Sequence, residues 1–302
     1  MRGAPPGGGL DRYREIIPDW DAFLAACEAR LPAVIRTNTA RIAPEDLLLR
    51  LSGKGFHPRP LPWAPFGFEV EGPVGRTVEH WLGLFYVQEA VQFLPVLALD
   101  PRSGETVLDL CAAPGGKGTH VAALIGPRGL LVANEPNGRR QQSLLANLNR
   151  LGVLNAAVTS YPGEAFPGAT RFDRVLVDAP CSAEGTLRKE NSRADGAPPR
   201  MIARLAALQR RLVVRGYDLL RPGGVLVYST CTFAPEENEA VVSTLLAERD
   251  ATVEPFPFPV PTSPGILSWE QAAFPDEVAR CVRVYPHHLN SGGGFIARLR
   301  KP

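Results

Sequence analysis

Lysine is scarce in this chain, occurring only at Lys54, Lys117, Lys189 and Lys301 among 33 basic residues. Arginine supplies the rest, and its planar fork is the better bidentate partner for phosphate. A large charge of one sign is also missing, because 31 acidic residues leave a formal net charge of +2. That balance excludes a histone-like polycation but leaves room for a local basic face. No apolar run reaches the ~18 residues that a membrane span needs, so no membrane association is expected. Met1 to Leu10 is rich in glycine and proline and has no apolar stretch, which argues against a secretory signal. No CxxC pair occurs among Cys27, Cys111, Cys181, Cys231 and Cys281. An odd number of scattered cysteines argues against a disulfide scaffold or a structural zinc site and fits reduced thiols in the cytoplasm. The five histidines (His57, His80, His120, His287, His288) lack ligand spacing, so no metal is expected. Internal repeats are absent.

What is present suits a globular protein. The chain has 302 residues, 45% apolar and 21% charged. At roughly 100–200 residues per domain, two domains are expected. Residues 1–9 read as a flexible tail. Residues 10–80 carry a mixed pattern: a helix over Asp19–Leu31, a strand over Ile35–Thr39, a helix over Pro44–Gly53, and proline-broken strands from Phe56 to Gly75. From residue 81 the rhythm changes to strand–helix alternation. Strands are predicted at Thr106–Leu110, Gly129–Ala133, Ala156–Thr159, Phe172–Val177 and Gly224–Tyr228. Helices are predicted at Tyr86–Ala98, Gly118–Leu124, Arg139–Leu151, Met201–Leu220 and Glu236–Glu248. Two closing strands, Cys281–Tyr285 and Gly294–Leu299, form a hairpin-like pair. Such alternation predicts an α/β fold, a mostly parallel sheet with helices on both faces. In these sheets ligands sit at the carboxyl ends of the strands.

Four segments fall at such ends. Cys111-Ala-Ala-Pro-Gly-Gly-Lys117 follows the first core strand. Its small residues let a ligand approach the backbone, and the next helix begins there. It is neither GxGxxG nor a P-loop, and a plain tight turn is the simpler alternative. Glu135 follows the second strand, where an acid suits ribose hydroxyls or a helix start. Asp178-Ala-Pro-Cys181 and Ser229-Thr-Cys231-Thr follow two later strands. One cysteine alone is usually a small buried hydrophobe. Two at neighbouring strand exits, one with an aspartate three residues earlier, point to thiol chemistry.

These segments resemble the RNA cytosine-C5 methyltransferase family of the NOL1/NOP2/Sun type, bacterial ribosomal members included. The resemblance rests on Val107-Leu-Asp-Leu-Cys-Ala-Ala-Pro-Gly-Gly-Lys117 and on Phe172 to Ser182 with Gly185-Thr-Leu-Arg-Lys189. It rests also on Arg221 to Thr232 with Pro235-Glu-Glu-Asn-Glu239, on Arg36-Thr-Asn-Thr39, and on Arg283-Val-Tyr-Pro-His287 with Gly294-Phe295. It implies a class I, Rossmann-like methyltransferase domain over 81–302, preceded by a small α/β RNA-binding subdomain. S-adenosylmethionine is the implied cofactor, lined by Cys111, Ala112, Ala113, Pro114, Gly115, Gly116 and Lys117. Glu135 would hold the ribose, and Arg140 matches a basic position on the cofactor side. Cys231 is the implied nucleophile at carbon 6 of cytosine, and Cys181 assists release. Asp178 would bind the cytosine edge or the cofactor. Carbon 5 is a poor nucleophile until a thiolate adds at carbon 6, so the chemistry needs a thiol with a lowered pKa and a base out of its stack.

Two departures from the family pattern stand out. Pro162 occupies the place where the family usually has an aspartate near the adenine, and its side chain accepts no hydrogen bond. Glu164 or backbone would substitute, or cofactor binding would weaken. Ala183 stands where a glycine commonly follows Pro-Cys-Ser.

The partner expected is RNA, ribosomal ahead of transfer RNA. Between Arg188 and Arg221, nine basic residues face three acids, and phosphate contacts supply salt-dependent affinity. Arg188 and Lys189, in a loop expected over 188–200 beside Cys181, are the RNA-binding candidates. Trp63, Phe66 and Phe68 suit either base stacking or packing. A monomer is the default expectation. An RNA-binding assembly factor with little activity is the alternative reading, and methylation of another position on the same fold is a further one.

Overall fold

The computed structural model describes residues 9–189 and 196–302. All but the last residue of the expected tail, and residues 190–195 of the expected loop, lie outside the described residues.

The first helix, α1 (Trp20–Glu28), is capped by Asp19, whose carboxylate accepts from the Ala22 amide at 3.1 Å. Strand β1 (Ala33–Thr37) leads to α2 (Pro44–Ser52), which starts at a proline and stops at Gly53. Strands β2 (Arg59–Leu61) and β3 (Ala64–Val70), the short helix α3 (Val78–Trp81) and β4 (Phe85–Val87) complete a four-stranded antiparallel sheet in the order β2-β3-β1-β4. Leu47 and Leu51 of α2 bury against Ile35, Phe68, Val70 and Phe85 of that sheet. The sheet runs past residue 80 to Val87. Residues 10–28 do not belong to it: Leu10, Tyr13, Ile17 and Phe23 pack with Ile202, Phe233 and Tyr285 of the second unit.

The helix expected over Tyr86–Ala98 is a strand, a tight turn over Ala90–Phe93 and then α4 (Leu94–Leu99). Tyr86 pairs opposite Arg36 on β1, and this ladder overrides the helical period of the apolar residues.

The second unit alternates β5 (Thr106–Asp109), α5 (Gly116–Ile125), β6 (Leu130–Asn134), α6 (Gly138–Leu151), β7 (Ala156–Thr159), β8 (Phe172–Asp178), α7 (Pro199–Asp218), β9 (Leu220–Thr230) and α8 (Glu239–Glu248). Short strands follow: β10 (Thr252–Val253), β11 (Ser263–Pro264), β12 (Ser268–Trp269) and β13 (Ala272–Ala273). Then come β14 (Val282–Val284), α9 (Pro286–Leu289) and β15 (Gly294–Arg300). The main sheet runs β11-β14-β15-β9-β8-β5-β6-β7, with β10 against β15. Strands β9, β8, β5, β6 and β7 are parallel neighbours, and β15 and β14 close the sheet antiparallel. Successive strand residues feed opposite cores. Leu108, Val175 and Val177 face Leu212 and Val242, while Val107 and Leu176 join the cluster of Leu94, Val121 and Leu144. Helices therefore cover both faces, as the alternation implies. The chain reverses direction across the sheet between β5 and β8, so the ligand crevice of the fold opens there.

The helix expected from Glu236 begins at Glu239. Residues 235–238 form a turn instead, because Glu237 and Asn238 are buried in polar contacts with Ser182, Gln209 and Thr230.

Candidate active site

A cleft of about 550 Å³ opens at the carboxyl ends of β5, β8 and β9, and Val34, Tyr86 and Val87 of the N-terminal sheet form its opposite wall. Its lining includes Asp109, Cys111 to Pro114, Gly116, Lys117, Asp178, Lys189 and Cys231. Residues more than 100 positions apart thus share one cavity, as the strand-end rule predicts.

The thiols meet because β8 and β9 are parallel and in register, Asp178 opposite Ser229. The chain leaves both strands side by side. Cys181 Sγ lies 3.2 Å from Cys231 Sγ, and the Cys231 amide donates to Cys181 Sγ at 3.3 Å. The hydrogen bond from Cys181, helped by the ammonium groups of Lys117 and Lys189, holds the Cys231 thiol below its ordinary pKa despite burial and Asp178. Cys181 is pushed well up, by that same hydrogen bond to Cys231 and by burial, with the Glu237 carboxylate adding to it. The opposite shifts make Cys231 the more acidic thiol of the pair and Cys181 the one that keeps its proton to higher pH.

Asp178 accepts from Lys117 Nζ at 2.7 Å and from Ser229 Oγ at 2.8 Å. Lys117 also donates to the side-chain oxygen of Gln92. Burial opposes the Lys117 charge, yet Asp178 more than offsets it and raises the pKa.

Both cysteine loops stand on one buried polar network. Glu237 accepts from the Ser182 amide at 3.0 Å and from Gln209 at 2.7 Å. Ser182 Oγ meets Thr232 Oγ1 at 2.7 Å, Thr232 donates to Glu184 at 3.0 Å, and Tyr13 donates to Glu184 at 2.6 Å. Gly185 donates its amide to the Cys231 carbonyl at 2.8 Å, and a Cβ there would stand 2.9 Å from that oxygen and 2.6 Å from Gly293 O. Only glycine fits between these carbonyls.

The turn after β5 divides between two jobs. Cys111 to Pro114, Gly116 and Lys117 face the cleft. Gly115 does not. It sits at φ +105° with its Cβ position against Leu144 of α6, so it shapes the turn. A Cβ at Gly116 would stand 3.1 Å from the Tyr86 ring, and its carbonyl accepts from the buried Arg36 at 2.5 Å. Asp109 is 1% exposed, and its Oδ1 has no hydrogen-bond partner among the described residues. Burial, with the Asp178 carboxylate behind it, pushes its pKa up to about 7. Glu135 lies behind Ala113, outside the cleft lining. Its carboxylate accepts from the Asn137 amide at 2.9 Å and faces Arg140 at 3.3 Å. Arg140 donates to the Ala113 carbonyl at 2.8 Å, which ties Glu135 to the turn. Near Pro162, Asn134 takes both backbone groups of Tyr161, and Glu164 faces Arg211 at 3.8 Å.

Arg188 is held by the protein itself. Its guanidinium donates to the carbonyls of Ala29, Arg30 and Ser291 and to Asn290 Oδ1 at 2.7–3.2 Å. It joins the segment after α1 to the turn after α9. Lys189 does reach the cleft, where it pairs with the buried Glu89. Trp63 and Phe66 pack around Phe93, and Phe68 is buried. Asp109, Gln92, Glu89 and Glu237 escaped the sequence analysis as site residues. Asp109 and Glu237 sit inside motifs quoted there, which was the available signal, whereas Gln92 and Glu89 carry none. No cluster of potential metal ligands occurs, and no helix is long and apolar enough to cross a membrane, among the described residues.

Comparison with known proteins agrees with this geometry. Residues 96–300 match the family model for 16S rRNA methyltransferase RsmB/F, and residues 10–90 match that for the N-terminal domain of 16S rRNA methyltransferase RsmF. Proteins named ribosomal RNA small subunit methyltransferase F are similar. The Vibrio parahaemolyticus protein is 38% identical and the Escherichia coli one 40%, each over 98% of this chain and 63% of the relative. The chain therefore spans 63% of the length of these relatives. A crystal structure of a methyltransferase homologue from Pyrococcus horikoshii superposes with a TM-score of 0.85 at 35% identity, covering 97% of this chain and 94% of that one. NSun6 from the same organism, solved with SFG, shares the fold at a TM-score of 0.81 and 22% identity, covering 96% and 97%. The chain belongs to the RsmB/F family of 16S rRNA methyltransferases, within the RNA cytosine-C5 methyltransferases of the NOL1/NOP2/Sun type.

Proposed function

We propose that this chain methylates carbon 5 of a cytosine in ribosomal RNA, with S-adenosylmethionine as cofactor. The observation that carries the reading is Cys231 in one cleft with the Lys117–Asp178 ion pair, its sulfur 3.2 Å from that of Cys181. The names of the relatives support the ribosomal substrate, and NSun6 with the S-adenosylmethionine analogue SFG supports the cofactor.

The cleft suits that cofactor. The bare backbone of Gly116 beside Tyr86 is a cradle that a Cβ would fill, and the orphaned Asp109 Oδ1 offers a polar contact. Cys111 to Lys117 and Asp109 would hold it, with the buried Glu135 at the ribose hydroxyls and Arg140 beside it. When bound, S-adenosylmethionine supplies an electrophilic methyl group. The residues of the chain do the rest. The Cys231 thiolate adds to carbon 6, which makes carbon 5 electron-rich. Asp178, oriented by Lys117 and Ser229, accepts from the cytosine amino group. After methylation, the carbon 5 proton passes to solvent, the electrons of that C–H bond restore the ring double bond, and the carbon 6–sulfur bond breaks to release the Cys231 thiolate. The Cys181 thiol, hydrogen-bonded to that sulfur, stabilises it as it leaves. Pro162 offers the adenine no side-chain acceptor, so cofactor affinity is expected to be modest.

Methyl transfer from labelled S-adenosylmethionine to ribosomal RNA tests this, with bisulfite sequencing to place the product. New 5-methylcytosine that vanishes with Cys231→Ala is expected. Label at another base position, or undiminished transfer by Cys231→Ala, would contradict it.

A further inference from the structure

Tryptophan is rarely left in solvent, because its ring is the largest apolar surface a side chain offers. Trp81, at the end of α3, is 80% exposed, and Val78 (56%) and Leu82 (48%) beside it are open too. Of the other aromatic residues considered for base stacking, Phe68 is buried and Trp63 and Phe66 are partly buried against Phe93.

Four cations bond to the residues beside Trp81 in sequence. Arg50 and Lys54 reach Glu79 at 3.4 and 3.3 Å. Arg150 donates to the His80 carbonyl at 2.8 Å, and Arg41 donates to the Leu82 carbonyl at 2.6 Å. Residues 79, 80 and 82 each hold at least one cation, and the single carboxylate in this ring of contacts, Glu79, is buried. An exposed ring thus lies next to residues that hold four cations. Arg150 links it to the cleft, since its guanidinium also donates to the Phe85 carbonyl at 3.2 Å and lies 5.9 Å from the Tyr86 ring, which lines the cleft.

We infer that Trp81 is a stacking platform for an unpaired RNA base outside the target nucleotide, with Arg41, Lys54 and Arg150 beside the adjoining phosphates. The inference rests on the RNA-substrate reading above and adds a site to it. An indole face stacks on any base, and neighbouring cations supply salt-dependent affinity for the backbone. A protein partner would cover the apolar residues but has less use for the four cations, so charge complementarity selects the nucleic acid.

The test is titration of the whole chain with a labelled single-stranded RNA, read by fluorescence anisotropy at two salt concentrations. Trp81→Ala should weaken binding about tenfold, while Trp81→Phe stays within about threefold of the parent, because a ring is retained. The slope of affinity against salt should be unchanged by Trp81→Ala and shallower for Arg41→Gln. Circular dichroism confirms that the variants are folded. Equal affinity of Trp81→Ala and parent would overturn the inference and leave the proposed function standing. So would a change of oligomeric state in Trp81→Ala with RNA affinity unaltered, since the patch would then be a protein contact. A chain that binds no RNA at all would overturn both.

Discussion

At the scale of single residues, the account depends on which sulfur keeps the proton. Lys117 and Lys189 face Cys231, whereas Glu237 faces Cys181. The hydrogen bond between the sulfurs, first among the causes, separates two chemically identical thiols by shifting Cys231 down and Cys181 up. If the hydrogen bond from Cys181 holds the Cys231 thiol below its ordinary pKa, removing that donor must raise it. The alkylation rate of Cys231 against pH, followed by mass spectrometry with iodoacetamide, should therefore shift its inflection to higher pH in Cys181→Ala. At neutral pH the thiolate fraction falls, so alkylation slows by about tenfold for each unit of pKa. A shift in the opposite direction would mean that Cys181 is the thiolate. The two thiols and Asp178 were legible in the sequence because they follow strands, and strands have a readable period. Arg188 was not. Its four acceptors lie at Ala29, Arg30, Asn290 and Ser291, more than 100 residues away, and nothing local tells an arginine held by carbonyls from one awaiting a phosphate.

At the scale of elements, the loop after β8 carries strain. Ala183 adopts φ 63°, ψ 26°, the left-handed region that an L side chain visits at a cost of about 1–2 kcal/mol. The neighbours of Ala183 hold it there: Ser182 and Glu184 are both anchored in the buried network, and Gly185 is wedged between two carbonyls. The glycine that the family commonly places here is thus explained by backbone geometry. Ala183→Gly should stabilise the chain by about 0.5–1 kcal/mol, somewhat less than the strain because glycine also frees the unfolded chain. Urea unfolding monitored by circular dichroism measures this, and a loss of stability would show that the loop is relaxed in another conformation. The same scale shows where sequence pattern succeeds. Parallel strands such as β5, β7 and β8 are placed within a residue or two, since little else produces short apolar runs bounded by turns. Residues 86–98 and 236–238 failed for opposite reasons. At Tyr86 a strand partner in β1 outweighed a helical apolar period, and at Glu237 buried polar contacts delayed a helix.

At the scale of the whole molecule, the cleft belongs to neither unit alone. The strand ends of the sheet supply the thiols, the Lys117–Asp178 pair and the glycine turn, while Val34, Tyr86 and Val87 of the N-terminal sheet close the other side. Arg36 ties the two together through Gln88, the Gly116 carbonyl and Thr119. The two-part organisation was visible in the change of rhythm along the chain. That residues 10–28 would pack on the second unit, with Tyr13 bonded to Glu184 beside the catalytic loops, was not, because this contact spans 171 positions. In the proposed reaction Cys231 bonds covalently to RNA and Cys181 assists its release. The most direct measurement is a denaturing gel of the chain incubated with ribosomal RNA and S-adenosylmethionine. Cys181→Ala should accumulate a slow-migrating protein–RNA adduct whose peptide maps to Cys231, and Cys231→Ala and the double variant should show none. An adduct mapping to Cys181 in Cys231→Ala would reverse the roles, and 5-methylcytosine formed with no adduct in Cys181→Ala would contradict the release step.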